Sequence, residues 1–86
     1  MPQYFVYILK LSNGDLYKGY TTDLDRRMSE HFAGGVTSTK AYLPATLIHY
    51  EAYTLESDAR RREGFLKTTE GRRLLKQQIR DILNQK

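Results

Sequence analysis

Residues 4–11, Tyr-Phe-Val-Tyr-Ile-Leu-Lys-Leu, are aromatic, branched or aliphatic with little alternation. A strand covered on both faces reads this way. Ser12-Asn13-Gly14-Asp15 predicts a hairpin turn and residues 16–21 the returning strand. From Asp23 to Phe32 the period becomes helical, with Leu24, Met28 and Phe32 as the buried stripe and His31 on the same face. Thr22 stands in N-cap position with Asp25 three residues on. Gly34 to Pro44 is a polar loop in which Thr37, Ser38 and Thr39 offer hydroxyls beside Lys40. Residues 46–53 predict a third strand. A second helix opens at Thr54 or Ser57 and runs through Leu55, Ala59 and Leu66 to about Lys67. Thr68-Thr69 breaks and recaps the chain, and a third helix carries Leu74, Leu75, Ile79, Ile82 and Leu83. The order β-β-α-β-α-α makes this an α/β (α+β) chain, expected to form a single domain over residues 1–86.

Composition narrows the function. Apolar residues make up 40% of the chain, enough for one small core. Cysteine is absent, which excludes disulfides, thiolate catalysis and cysteine-zinc sites, and makes a cytoplasmic location the expectation. No apolar stretch of ~18 residues or more predicts a membrane span, and the N-terminus lacks the pattern of a signal peptide. Fourteen Lys and Arg against ten Asp and Glu leave a net charge of +4, a moderate bias toward polyanions.

Helical phase then singles out residues at core margins. Arg27 lies about 60° from Leu24 and His31 about 20° to the same side. The two are four apart and stack on one face, whereas Arg26 turns to solvent. Two half-buried cations side by side suit an anion site; an arginine snorkelling over apolar surface beside a satisfied histidine is the structural alternative. Glu63 holds the margin of the second helix, after Arg60-Arg61-Arg62. It could ligate Mg²⁺ or simply pair with Arg60 or Lys67. Tyr7 and Tyr17 stand on the two hairpin strands. A two-residue loop would point them to opposite faces, and a three-residue loop ending with Gly14 in the left-handed region would put them on one face. Asn-Gly is compatible with either.

These residues stand in a recognisable order. Val6-Tyr7-Ile8, Tyr17-Lys18-Gly19, Arg27 and His31 within Asp23–His31, and the helix from Ala59 through Glu63 to Lys67 together resemble the GIY-YIG nuclease domain, in particular its small single-domain bacterial members. The resemblance covers nearly the whole chain. It departs where Phe5-Val6 replaces the leading glycine and where Lys18 occupies the middle of the second motif. For the late asparagine of some active members only Asn84 is available. The resemblance implies a three-stranded antiparallel sheet flanked by helices. It implies an endonuclease-like phosphodiesterase dependent on Mg²⁺ or Mn²⁺, with Tyr7, Tyr17, Arg27, His31 and Glu63 as its catalytic set. Glu63 would be the metal ligand, Lys18, Lys40, Arg60, Arg62 and Lys67 would contact nucleic acid, and DNA would be the expected substrate. DNA repair or recombination is the implied setting, with a separate protein partner for targeting.

By that resemblance Arg27 would neutralise phosphate charge while a tyrosine, with His31 near, takes the proton of the attacking water. A free tyrosine is only ~0.1% phenolate at pH 7. Either Arg27, the metal and Lys18 or Lys10 lower its pKa, or His31 is the base and the tyrosines position water. A non-catalytic nucleic-acid-binding module and a protein-interaction domain with core-packing tyrosines are the two rival readings.

Overall fold

A computed structural model describes residues 3–85. β1 (Tyr4–Lys10) is the central strand of a three-stranded antiparallel sheet, between β2 (Leu16–Thr21) and β3 (Thr46–Tyr53). That position explains its composition. Val6, Tyr7, Ile8 and Leu9 are all buried because both faces of the strand are covered. Val6 and Ile8 pack on Ala59 and Leu66 of α2 (Glu56–Leu66), Leu75 of α3 (Thr69–Gln78), and Ile79. Tyr7 and Leu9 pack on the other side against Leu11 and Met28 of α1 (Leu24–Phe32). A final turn, α4 (Arg80–Leu83), extends α3 beyond Ile79. The element order is the expected one, with a short 3₁₀ turn at Lys40–Tyr42 added within the polar loop. Among the described residues no helix is long and apolar enough to cross a membrane.

The hairpin has the three-residue loop. Leu9 pairs with Tyr17 and Lys10 with Leu16. The Leu11 N–H donates to the Asp15 carbonyl and the Gly14 N–H to that of Leu11, each at 2.9 Å. Gly14 sits at φ 89°, the left-handed conformation such a turn demands of its last residue. A bulge of β3 opposite Ile8 and Leu9 has a related effect. Ile8 faces His49 but Leu9 faces Leu47, so Ile48 is the extra residue.

Several local expectations are corrected. Asp23, not Thr22, caps α1, its carboxylate accepting from the Arg26 N–H at 3.1 Å while Thr21 Oγ1 accepts from the Asp23 N–H. The buried stripe of α1 runs through Met28 and His31, and Phe32 is 48% exposed. The helix ends at Phe32, which lines a surface groove with Leu43, Pro44 and Ala45 instead of entering the core. Neither Thr54 nor Ser57 opens α2; Leu55 occupies the cap position without a side-chain bond and is 60% exposed. Thr68 caps α3 as expected, accepting from the Gly71 N–H.

The α2 layer is fastened to β3 by charge. Glu51 lies opposite Val6 and so faces α2. It accepts from Arg62 Nε at 2.9 Å, from Arg62 Nη2 at 3.2 Å and from the Tyr53 hydroxyl at 2.6 Å, and lies 2.9 Å from His49 Nε2. Arg62 also donates to Gln78 of α3. Burial alone would raise the Glu51 pKa, but the bonds from Arg62, Tyr53 and His49 outweigh it and hold the carboxyl at about 2. A carboxyl depressed on folding contributes stability above its unfolded pKa, about 4.3, and that contribution is lost as pH falls through its folded value. Unfolding free energy should therefore drop by on the order of 2–3 kcal/mol between about pH 5 and pH 2 through this group. Urea titrations across that window should show Glu51→Gln less stable at neutral pH and without this share of the acid loss. Parallel curves for both proteins would contradict the assignment.

Candidate active site

The hairpin register places Tyr7 and Tyr17 on the α1 face, ring centroids 6.3 Å apart. Gly19 is the direct partner of Tyr7 across the β1–β2 ladder. The Tyr7 ring lies flat over that glycine, and a methyl group there would occupy the space of Tyr7 Cζ and Oη. The absent side chain at Gly19 is what lets the phenol reach along the sheet toward β2.

Helix α1 brings the next two residues. His31 is fully buried, its ring 5.5 Å from that of Tyr7 and 5.2 Å from that of Tyr17. Its Nε2 lies 2.7 Å from the Tyr7 hydroxyl and its Nδ1 2.8 Å from Thr39 Oγ1. Arg27 Nε donates to Tyr7 Oη at 3.4 Å, and Arg27 Nη1 donates to Glu30 at 3.0 Å. The donor inventory orders this chain. Arginine only donates, so the Tyr7 oxygen accepts from it. With the Thr39 hydroxyl donating to the Val36 carbonyl at 3.4 Å, its oxygen is left to accept from His31 Nδ1–H, which is the tautomer we assign. Nε2 is then the lone-pair nitrogen and receives the Tyr7 O–H. No buried side-chain polar atom among the described residues lacks a partner.

The electrostatics follow from burial. His31 is pushed below its ordinary pKa by burial first and by the Arg27 guanidinium second, so it is neutral at pH 7. The expected pair of half-buried cations is therefore one cation and one neutral imidazole. Tyr7 is pushed up, mainly by burial, which outweighs the Arg27 hydrogen bond. The lowered tyrosine pKa is thus not found at Tyr7. Lys18, expected to help, pairs with Ile8 and belongs to the opposite face. Tyr7 and His31 have no solvent contact, whereas Tyr17 is partly exposed and the Arg27 side chain is 33% exposed. A buried neutral relay therefore stands behind a rim that bears the charge.

Glu63 comes from α2, on the other layer. Its charge acts on the Tyr7 phenol, and its carboxylate pairs with Lys67 at 3.3 Å rather than with any of the other four. Among the described residues no three His, Cys, Asp or Glu gather to cage an ion. A hard divalent cation nonetheless fits the donor set, because Mg²⁺ commonly takes one carboxylate and fills its sphere with water and phosphate oxygens. Glu63, 21% exposed, offers such a carboxylate.

The remaining basic residues scatter. Lys67 adjoins Glu63, and Lys40 is exposed on the turn that carries Thr39. Lys18 lines a cleft on the α3 side. Arg60 stacks 4.2 Å over the Tyr20 ring and bonds Glu56, and Arg62 is engaged by Glu51 and Gln78. Asn84 caps α4 at its exposed end. Three participants escape sequence reading. Gly19 and Thr39 needed the sheet register and the loop path to be found. Glu30 carried the signal of i,i+3 spacing from Arg27.

Comparison with known proteins gives a consistent result. The family model of the GIY-YIG catalytic domain matches residues 3–77. The chain is similar to the UPF0213 protein of Haloquadratum walsbyi, 40% identical over 82 residues covering 92% of each chain. The UPF0213 protein of Staphylococcus haemolyticus is 39% identical over 77 residues, covering 88% of this chain and 94% of that one. The solution NMR structure of the UPF0213 protein from Bacillus halodurans is similar with a TM-score of 0.56 and 34% identity, over 85% of this chain and 81% of that one.

Two substitutions test the cluster. Gly19→Ala must displace the Tyr7 ring, and overpacking of this kind costs about 1–3 kcal/mol. Thr39→Val strands the buried His31 Nδ1–H, which costs about 1–3 kcal/mol and removes the preference for the Nδ1–H tautomer. Denaturant melts should register both losses, and ¹⁵N shifts of His31 should show the Nδ1–H tautomer in the parent and a mixed one in Thr39→Val. An unchanged tautomer would contradict the hydrogen-bond order.

Proposed function

The chain belongs to the GIY-YIG family, and from that premise we propose that it is a divalent-metal-dependent phosphodiesterase that cuts nucleic acid, with DNA as substrate. The supporting observation is the convergence of Tyr7, Tyr17 and Arg27 from separate elements around buried His31, with a one-third exposed guanidinium at the rim. A nuclease-like function follows from the family; metal dependence and the roles below are the proposal. The acting unit is a single domain over residues 1–86 whose net charge of +4 favours a polyanion.

Arg27 receives the scissile phosphate. The Tyr7 hydroxyl and Glu30 hold its guanidinium on two sides. The Glu30 pair is exposed and worth at most about 1 kcal/mol, so a phosphate can displace it. Tyr17, the tyrosine that meets solvent, orients the attacking water. Its oxygen accepts the water proton as its own hydroxyl proton passes to bulk solvent. Tyr7, His31 and Thr39 act as positioning residues, since burial keeps all three from substrate. Glu63 would hold the cation, which when bound supplies charge for the phosphoryl oxygens and the leaving oxygen. The Glu63–Lys67 pair favours the rival reading, a binding module that uses no metal, and dependence of cleavage on Mg²⁺ or Mn²⁺ separates the two.

Cleavage and binding should divide by residue. Glu63→Ala should lower kcat by about 10²–10³ or more while affinity for DNA stays level or rises, because a negative charge leaves the surface. Arg27→Ala should lose a similar factor and bind more weakly. Arg26→Ala, exposed and one residue away, should change either by less than about threefold. Single-turnover cleavage with Mg²⁺, Mn²⁺ or EDTA, beside equilibrium binding, measures all three. Equal losses in the Arg26 and Arg27 variants would mean that diffuse charge alone matters, and the site on α1 would have to be abandoned.

A further inference from the structure

The arginines of the α2 and α3 layer are nearly all neutralised in place. Arg60 pairs with Glu56, Arg61 with Asp58, Arg62 with Glu51, and Arg73 with Glu70. Arg72, next to Arg73 on α3, has no such partner among the described residues, nor has Lys76 one turn on, nor Lys18 of β2. These three cations line one cleft of about 370 Å³ between the hairpin turn and α3, together with Gly14, Asp15 and Leu16.

Asp15 is the single carboxylate there, and it is turned to the hairpin, accepting from Asn13 Nδ2 at 3.1 Å. Arg72 and Lys76 are four apart on one helix, where like charges repel. Lys18 is half-buried. Burial first, then Arg72 and Lys76, with Lys67 adding and Asp15 opposing, hold its ammonium below the ordinary lysine pKa. Folding thus gathers cations that disfavour one another, although carboxylates neutralise their neighbours. An anion in the cleft would relieve that repulsion.

The cleft's position identifies the anion. Lys67, whose charge acts on Lys18, is bonded to Glu63, and the charge of Glu63 acts on Tyr7. Tyr17 and Lys18 are successive residues of the edge strand β2, so the tyrosine cluster and the cleft lie on the two faces of one strand at the sheet's edge, a step that a nucleic-acid backbone can cross. We propose that this cleft is a second phosphate-binding subsite, in which Lys18, Arg72 and Lys76 hold the sugar-phosphate backbone of the nucleic acid whose scissile phosphate lies at Arg27 and Glu63. The assignment rests on the phosphodiesterase reading for its substrate and adds a track that orients the strand. The cleft is polar and carries no aromatic side chain, so it grips phosphate without reading bases.

The test is salt-dependent binding in EDTA, with single strands of about 4 and about 16 nucleotides as probes. Arg72→Ala/Lys76→Ala removes two exposed cations. Arg61→Ala/Arg73→Ala removes two exposed cations that are already paired, and so matches the change in net charge. The first variant should lower the salt slope for the longer strand by about 1.4 and its affinity about tenfold, with little effect on the shorter strand. The control should move neither by a comparable amount. With Mg²⁺, the first variant should raise KM for the longer strand and leave kcat near that of the parent. Equal slopes in the two variants would overturn the subsite, even if the parent cleaves DNA in a Glu63-dependent way. Loss of metal-dependent cleavage in the parent itself would instead overturn the phosphodiesterase reading. Inorganic phosphate alone is the third probe. If it shifts the Gly14 and Lys18 amide resonances as fully as the longer strand does, and strand length has no effect, the cleft holds a free anion and the backbone assignment fails.

Discussion

The hydrogen bond from the Tyr7 hydroxyl to His31 Nε2, 2.7 Å long and wholly buried, constrains the rest of the molecule. A phenol and an imidazole taken out of water must each satisfy their polar atoms inside the protein. Tyr7 stands on the central strand, and its ring lies along the sheet over the residue paired with it on β2. That residue has to be Gly19. His31 must then approach from above, which sets where α1 crosses the sheet and how it is rotated. Its second nitrogen needs an acceptor, and the loop after α1 folds back to bring Thr39, itself fully buried, into place. Arg27, one turn before His31, reaches the same phenol oxygen.

Charge and neutrality are separated by depth. Burial keeps His31 and Tyr7 uncharged, and the ionised groups of the cluster, Arg27 and Glu30, lie at the rim where water screens them. The sheet's other layer handles charge differently. There Glu51 remains ionised although half-buried because Arg62, Tyr53 and His49 converge on it, and the group ties β3 to α2 and, through Gln78, to α3. That fastening holds α2 against the sheet and so locates Glu63 relative to Tyr7. On the proposed reading, one side of the sheet supplies the guanidinium of Arg27 and the other the carboxylate of Glu63.

Strand and helix order, the central place of residues 4–11 and the candidate set itself were legible in the chain. Each rests on local regularities: a continuous apolar run, Asn-Gly at a turn, a period of 3.6, a motif in sequence order. The caps and the ends of stripes were less legible. Asp23 and Thr22 are both good caps, and the Arg26 N–H donating to Asp23, with Thr21 Oγ1 accepting from the Asp23 N–H, distinguishes them. Phe32 looked buried by phase, but it faces an open groove with Leu43, Pro44 and Ala45, segments that only the fold brings beside it.

Tertiary structure decided which members of the candidate set touch and in what state they are. Hairpin parity was open in the sequence, because Asn-Gly serves loops of either length. The pairing of Leu9 with Tyr17 put both tyrosines on one face. The direction of the Tyr7 pKa was decided by burial, a property of packing that no spacing conveys. Gly19 and Thr39 acquire their roles only from neighbours distant in the chain. Arg72 differs from Arg73 only in which side of α3 it faces. Periodicity along a chain reports which way a side chain leaves its own backbone, and the partner it meets there depends on every other element that packs against it.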